Sequence, residues 1–173
     1  MSHALPKTTT HAGPEALYRE LLLALGGILE GERNWIANCA NASALIYSVL
    51  PDLNWAGVYL YDGTGLVVGP FQGKPACVRI ALGKGVCGTA AASARTVIVP
   101  DVHAFPGHIA CDSASNSEIV VPLIAPGGLV GVLDLDSPRL ARFDAADARG
   151  LEALAARLVA GSDLPGPYLA REM

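Results

Sequence analysis

The chain has 173 residues, a length that one domain fills and that can bury a core without disulfide staples or a structural metal. Half of it is apolar (51%), yet Gly or Pro breaks every long apolar run; the best membrane candidate, Ile119 to Leu135, holds Pro122, Pro126, Gly127, Gly128, Gly131 and Asp134 and reads as two strands and a turn. With a net charge of −4 and 12 Lys and Arg scattered over the length, no basic stripe exists to neutralise a phosphate backbone, so neither membrane nor nucleic acid is an expected partner.

Residues 1–13 lack the continuous apolar stretch of a secretory signal and are expected to be a disordered tail. The cytoplasm is the expected compartment, where four cysteines serve chemistry, metal binding or burial rather than cross-linking. From Pro14 to about Glu30, Leu17, Leu21, Leu25, Ile28 and Leu29 recur at three- and four-residue steps, predicting an amphipathic helix with Pro14 in its first turn. A second helix is expected from Asn34, with Ile36, Cys39, Ser43, Ile46 and Val49 or Leu50 along its inner side and Pro51 closing it; Cys39 is thereby a core residue. The period then changes to two: Trp55 to Tyr61 reads as a strand, Asp62 to Gly65 as a turn, and Leu66 to Gly69 as the returning strand. Val78 to Leu82 is a third strand. Gly83 to Thr89 leads into a short Ala-rich helix ending near Ala94, and Thr96 to Val99 is a fourth strand.

Asp101 to Ser117 has no sustained apolar period and is too long for a mere connection, which marks it as a functional loop. Glu118 to Ile124 and Leu129 to Asp136 form a second hairpin, and a last helix runs from an Asp144 cap to about Ala160. The expected organisation is one domain over residues 14–160 with a C-terminal tail over 161–173. Strands joined by tight turns, with helices at both ends, predict an α+β fold: a mainly antiparallel sheet flanked by helices.

Cys111 sits in the long loop among small and polar residues, which favours an accessible thiol over an inert buried one. Cys87 lies at the expected start of the short helix, where the dipole and free N–H groups favour a thiolate. Cys77 precedes the third strand. The spacings of these cysteines are not those of a zinc ribbon, so no metal is expected. Asp134 and Asp136 project from one face of their strand, and Glu118 opens the neighbouring one; the pair either flanks a solvated strand end or serves a ligand. Trp55 and Tyr59 also share a face, a pattern that core packing explains equally well. The Gly83-Lys84-Gly85 run is not a phosphate loop.

Three stretches carry a resemblance: Asn54-Trp55-Ala56-Gly57-Val58-Tyr59-Leu60-Tyr61, Gly83-Lys84-Gly85-Val86-Cys87-Gly88-Thr89-Ala90, and the long block from Val99-Pro100-Asp101-Val102-His103 through His108-Ile109-Ala110-Cys111-Asp112-Ser113 to Val121-Pro122-Leu123. Together they closely resemble the free methionine-(R)-sulfoxide reductases, a family built on the GAF fold, over roughly Pro14 to Val159. The resemblance implies that Cys111 attacks the sulfoxide sulfur, that Cys77 resolves the product as a disulfide, and that Cys87 is an alternative resolving thiol or a pocket residue. It further implies that Glu118, Asp134 and Asp136 hold the substrate, that Trp55 and Tyr59 form its aromatic pocket, that no cofactor is needed, that thioredoxin is the reductant, and that the protein is a homodimer. The competing reading is a GAF module that binds a small ligand and signals through a partner; it would normally be tethered to an output domain, for which 173 residues leave no room. A zinc-binding structural domain is a third.

Overall fold

The computed structural model describes residues 13–108 and 112–164; Cys111 and most of the two expected tails lie outside the described residues. Two helices come first, α1 (Pro14–Ile28) and α2 (Trp35–Val49). A hairpin follows, β1 (Trp55–Tyr61) and β2 (Gly65–Gly73), then β3 (Arg79–Ala81), α3 (Gly85–Ser93) and β4 (Val97–Val99). A 3-10 turn at Val102–Ala104 opens the long loop, and a second hairpin, β5 (Ser117–Ala125) and β6 (Gly128–Ser137), leads to α4 (Ala145–Ala160). The helix starts are set by local chemistry. Pro14 opens α1, Asn34 accepts the Ala37 N–H at 3.0 Å, and Asp144 and Asp147 close a reciprocal capping box on α4.

The six strands form one antiparallel sheet in the order β3-β2-β1-β6-β5-β4, so the two hairpins meet along β1 and β6. Alternation along the central strands sends side chains to two different interiors. Ala56, Val58, Ile119, Val121, Leu133 and Leu135 face a core built with α1, α2 and α4, where Leu21, Leu25, Ile46, Leu151 and Leu158 pack. Trp55, Tyr59, Val120 and Val132 face the other way, into a smaller cluster with Cys87, Ala90, Val99 and Val102. The fold is the expected α+β arrangement, and Cys39 is fully buried in the larger core, where burial pushes its thiol pKa far up.

Three expectations are corrected. Ile36 is 50% exposed, and the inner face of α2 runs instead through Trp35 (3% exposed), Asn38, Cys39, Ala42 and Ile46. The Asn34 cap fixes that rotation, leaving Ile36 one helical step, about 100°, round from Trp35. The second strand does not stop at Gly69 but continues to Gly73, because a register shift between Gly57 and Tyr59 of β1 accommodates Pro70 within the pair. The C-terminal segment does not leave the domain at Gly161: Ser162 is buried and accepts a hydrogen bond from Asn38 Nδ2 at 2.9 Å, and Asp163 pairs with Arg33 at 2.6 Å.

Candidate active site

The site grows from the sheet register. Trp55 pairs with Asp136, which pairs in turn with Glu118, placing an indole and two carboxyls in one row across β1, β6 and β5. One row along, Gly57 pairs with Asp134 and Asp134 with Val120. Directly paired residues of an antiparallel sheet share a face, so all three acids rise on the side of the smaller cluster. Gly57 contributes by what it lacks: a Cβ there would lie 2.6 Å from Trp55 Cη2 and collide with Phe71. The bare backbone lets the indole lie over the sheet, stacked on Phe71 at 5.2 Å and Tyr59 at 5.7 Å, while its Nε1 donates to the Lys74 carbonyl at 3.1 Å.

The pocket is roofed by α3, the loop after β4 and the segment between β2 and β3. It holds about 530 Å³ of empty space, counting its open mouth, and is walled by Trp55, Tyr59, Cys87, Glu118, Asp134 and Asp136, with Lys74, Lys84, His108, Asp112 and Ser115 around them. Six of the eight residues expected at the site thus meet in one cavity. Cys77 is not among its walls; it is half-buried and packs against the smaller cluster beside Ala76, which is. Cys111 is outside the described residues.

Glu118 (6% exposed) and Asp134 (5% exposed) are buried, and no lysine or arginine among the described residues pairs with Glu118, Asp134 or Asp136. The reading of these acids as a solvated strand end is therefore set aside. Cys87 Sγ donates to Glu118 Oε1 at 3.8 Å, and His108 Nε2 stands 3.7 Å from Glu118 Oε2. Asp134 Oδ1 is buried and has no hydrogen-bond partner.

Burial without a counter-charge dictates the protonation pattern. Burial raises the Asp134 pKa to about 7, against hydrogen bonds from Cys87 and Glu118 that pull it down. Glu118 is held well above the ordinary carboxylate range by burial and then by the charges of Asp134 and Asp136; Asp136 is held up by burial and the charge of Asp134. The pocket thus favours the protonated form of all three acids. Cys87 corrects an expectation. It does sit in the first turn of α3, but burial and the charges of Asp134 and Glu118 raise its thiol pKa well above normal, overriding the helix dipole that favours a thiolate.

Reading the sequence missed a polar strap that orders the remaining wall. Asn54 Nδ2 donates to Ser115 Oγ at 2.9 Å and to Asp112 Oδ2 at 3.3 Å, and Lys74 Nζ meets Asp112 Oδ1 at 3.1 Å. Ser115 also hydrogen-bonds Asp136, and the Ala114 N–H and Lys74 keep the Asp112 pKa low. Asn54, Asp112 and Ser115 all lie inside the stretches that carry the resemblance, but their spacing has no period that would single them out.

The GAF domain model matches residues 15–160. A protein of Escherichia coli named free methionine-R-sulfoxide reductase is 52% identical over 82% of this chain and 86% of its own length. One of Saccharomyces cerevisiae with the same name is 46% identical over 85% and 86%. Among solved structures, free methionine-R-sulfoxide reductase from Neisseria meningitidis in complex with its substrate superposes with a TM-score of 0.87 at 46% identity, covering 92% of this chain and 95% of that one.

Proposed function

The chain belongs to the GAF-domain family of free methionine-R-sulfoxide reductases, and from that membership we propose how its pocket reduces the free amino acid sulfoxide. The observation that carries the reading is the group of three acids, Glu118 and Asp134 buried and Asp136 half-buried, with no cationic side chain among the described residues paired to them, facing Trp55 across a cavity. Such a group is complementary to a ligand that brings its own positive charge, and the substrate's ammonium does so. A methionine sulfoxide within a peptide has no free ammonium and would leave buried acids unpaired, which restricts the enzyme to the free amino acid. The indole of Trp55 meets the S-methyl group and helps select the R epimer.

Cys111 attacks the sulfoxide sulfur as a thiolate. The departing oxygen needs protons, and Glu118, whose carboxyl pKa is raised by burial and by its acidic neighbours, delivers one. Methionine leaves, its sulfur reduced, and Cys111 carries the oxygen as a sulfenic acid. The Cys77 thiol then displaces that oxygen as water, forming a disulfide that thioredoxin returns to two thiols by exchange. Cys87 keeps its proton and forms part of the wall. The working unit is a homodimer in the cytoplasm.

An assay with thioredoxin, its reductase and NADPH tests the proposal, run separately with free methionine-(R)-sulfoxide, free methionine-(S)-sulfoxide and a peptide sulfoxide. NADPH is consumed with the first alone. Equal turnover of the peptide would end the ammonium-clamp reading, and near-normal turnover by Cys111→Ser would remove Cys111 from its role.

A further inference from the structure

One buried thiol has no redox step assigned to it, and its surroundings suit another ligand. Cys87 Sγ, a Glu118 carboxyl oxygen and an Asp134 carboxyl oxygen lie within 4.8 Å of one another, and all three residues are buried. The Cys87–Glu118 separation is 3.8 Å. Around a tetrahedral zinc ion, with bonds of about 2.0 Å to oxygen and 2.3 Å to sulfur, neighbouring ligand atoms stand roughly 3.5 Å apart, so small side-chain shifts close the site. Asp134 Oδ1, buried on the pocket wall without any hydrogen-bond partner, is an acceptor waiting for a donor or a cation. Thiolate and carboxylates together select a borderline-soft ion of the zinc type over magnesium or calcium. A fourth position is open to water or to His108 Nε2, which already stands 3.7 Å from Glu118.

The geometry points to a second ligand for the reduced pocket: a divalent ion of the zinc class, bound by Cys87, Glu118 and Asp134, which excludes the substrate and holds the enzyme inactive. The exclusion rests on the substrate reading given above; the metal site does not, and it makes no use of Cys111 or Cys77. The other charged or titratable groups around the pocket are Asp136 on β6, Lys84 at the start of α3, Lys74 after β2, and His108 and Asp112 of the loop. The lysines oppose the ion, and Asp136 favours it.

The test uses the reduced Cys77→Ser/Cys111→Ser protein, in which Cys87 is the remaining pocket thiol and Cys39 is sealed in the opposite core. Titration with Co²⁺ is expected to bind about one equivalent and to produce a thiolate-to-cobalt absorption band. Zn²⁺ and free methionine-(R)-sulfoxide, which this variant cannot turn over, both abolish the band. Adding Cys87→Ser removes it. Asp134→Asn, which keeps the thiol, weakens cobalt at least about tenfold to a hundredfold, since even outer-shell changes have that effect on metal sites. Absence of the band, its survival in the Cys87→Ser protein, or unchanged affinity in Asp134→Asn would overturn the metal site. A band untouched by the sulfoxide would overturn the exclusion. Failure of the substrate reading would appear separately, as no NADPH consumption by the unmodified enzyme.

Discussion

Two buried acid sites stand on opposite faces of the same sheet, and they are built to opposite ends. On the helical side, Asp147 accepts from the Tyr18 hydroxyl at 2.7 Å, from Arg142 Nη1 at 3.3 and 3.2 Å, and from the Asp144 backbone N–H at 2.9 Å. Every lone pair that burial strips of water finds a donor within the protein, and Arg142 balances the charge. On the pocket side, Asp134 keeps an oxygen with no partner, and the polar groups close to Glu118 among the described residues are a thiol, a histidine and its acidic neighbours. The first site ties α1 to α4. The second holds its acids in a state that a ligand relieves, which costs stability and creates affinity.

If that contrast is right, the two sites respond differently to substitution. The largest effect is expected for Glu118→Gln, which removes the proton while keeping the shape: kcat/KM falls about 10²- to 10⁴-fold, equivalent to roughly 3 to 5 kcal/mol, with the melting temperature unchanged or raised. A fall in stability instead would show that Glu118 is structural. Asp147→Ala should do the reverse. Stranding Arg142 and the Tyr18 hydroxyl costs about 3 to 5 kcal/mol and lowers the melting temperature by roughly 10 °C, while kcat/KM of the folded protein is retained. Next comes Gly150→Ala on α4, whose new Cβ would collide with the Tyr18 ring; a loss of about 1 to 3 kcal/mol in denaturant melts is expected, again without effect on turnover.

The smallest effect is the pH dependence of the unliganded protein. The Asp134 pKa is about 7 in the fold and near 4 in the unfolded chain, so between these values the folded state binds the extra proton. Its contribution to stability is therefore full below about pH 4, is lost as the pH rises through 7, and is absent above. A melting temperature several degrees lower at pH 8 than at pH 5 is expected, and Asp134→Asn should flatten that slope. A steeper loss at pH 8 in Asp134→Asn would show that another group carries the dependence.

Elements with a clean period were legible in the chain. The hairpins came through because alternation from Trp55 to Tyr61 and from Leu129 to Asp136 matches one buried face on each side of the sheet. The cap at Asp144 and the core position of Cys39 followed from equally local patterns. Ile36 was misplaced because an apolar residue on the first turn fits two rotations of a short helix, and only the Asn34 cap and the packing of Trp35 choose between them. The end of β2 was missed because Pro70 ordinarily stops a strand, and the bulge that admits it depends on β1.

Residue types and their spacing, with the long block around Cys111, were enough to specify the α+β fold, the family and six of the residues that wall the pocket. They could not determine the charge state of those residues, because a pKa depends on which groups approach through space and on how much water is excluded. Cys87 shows the difference. At the start of a helix its thiol should ionise readily; packed by α3 against Glu118 and Asp134, it keeps its proton. The register of β1, β6 and β5 alone decides that three acids from two strands stand together, facing an indole from a third.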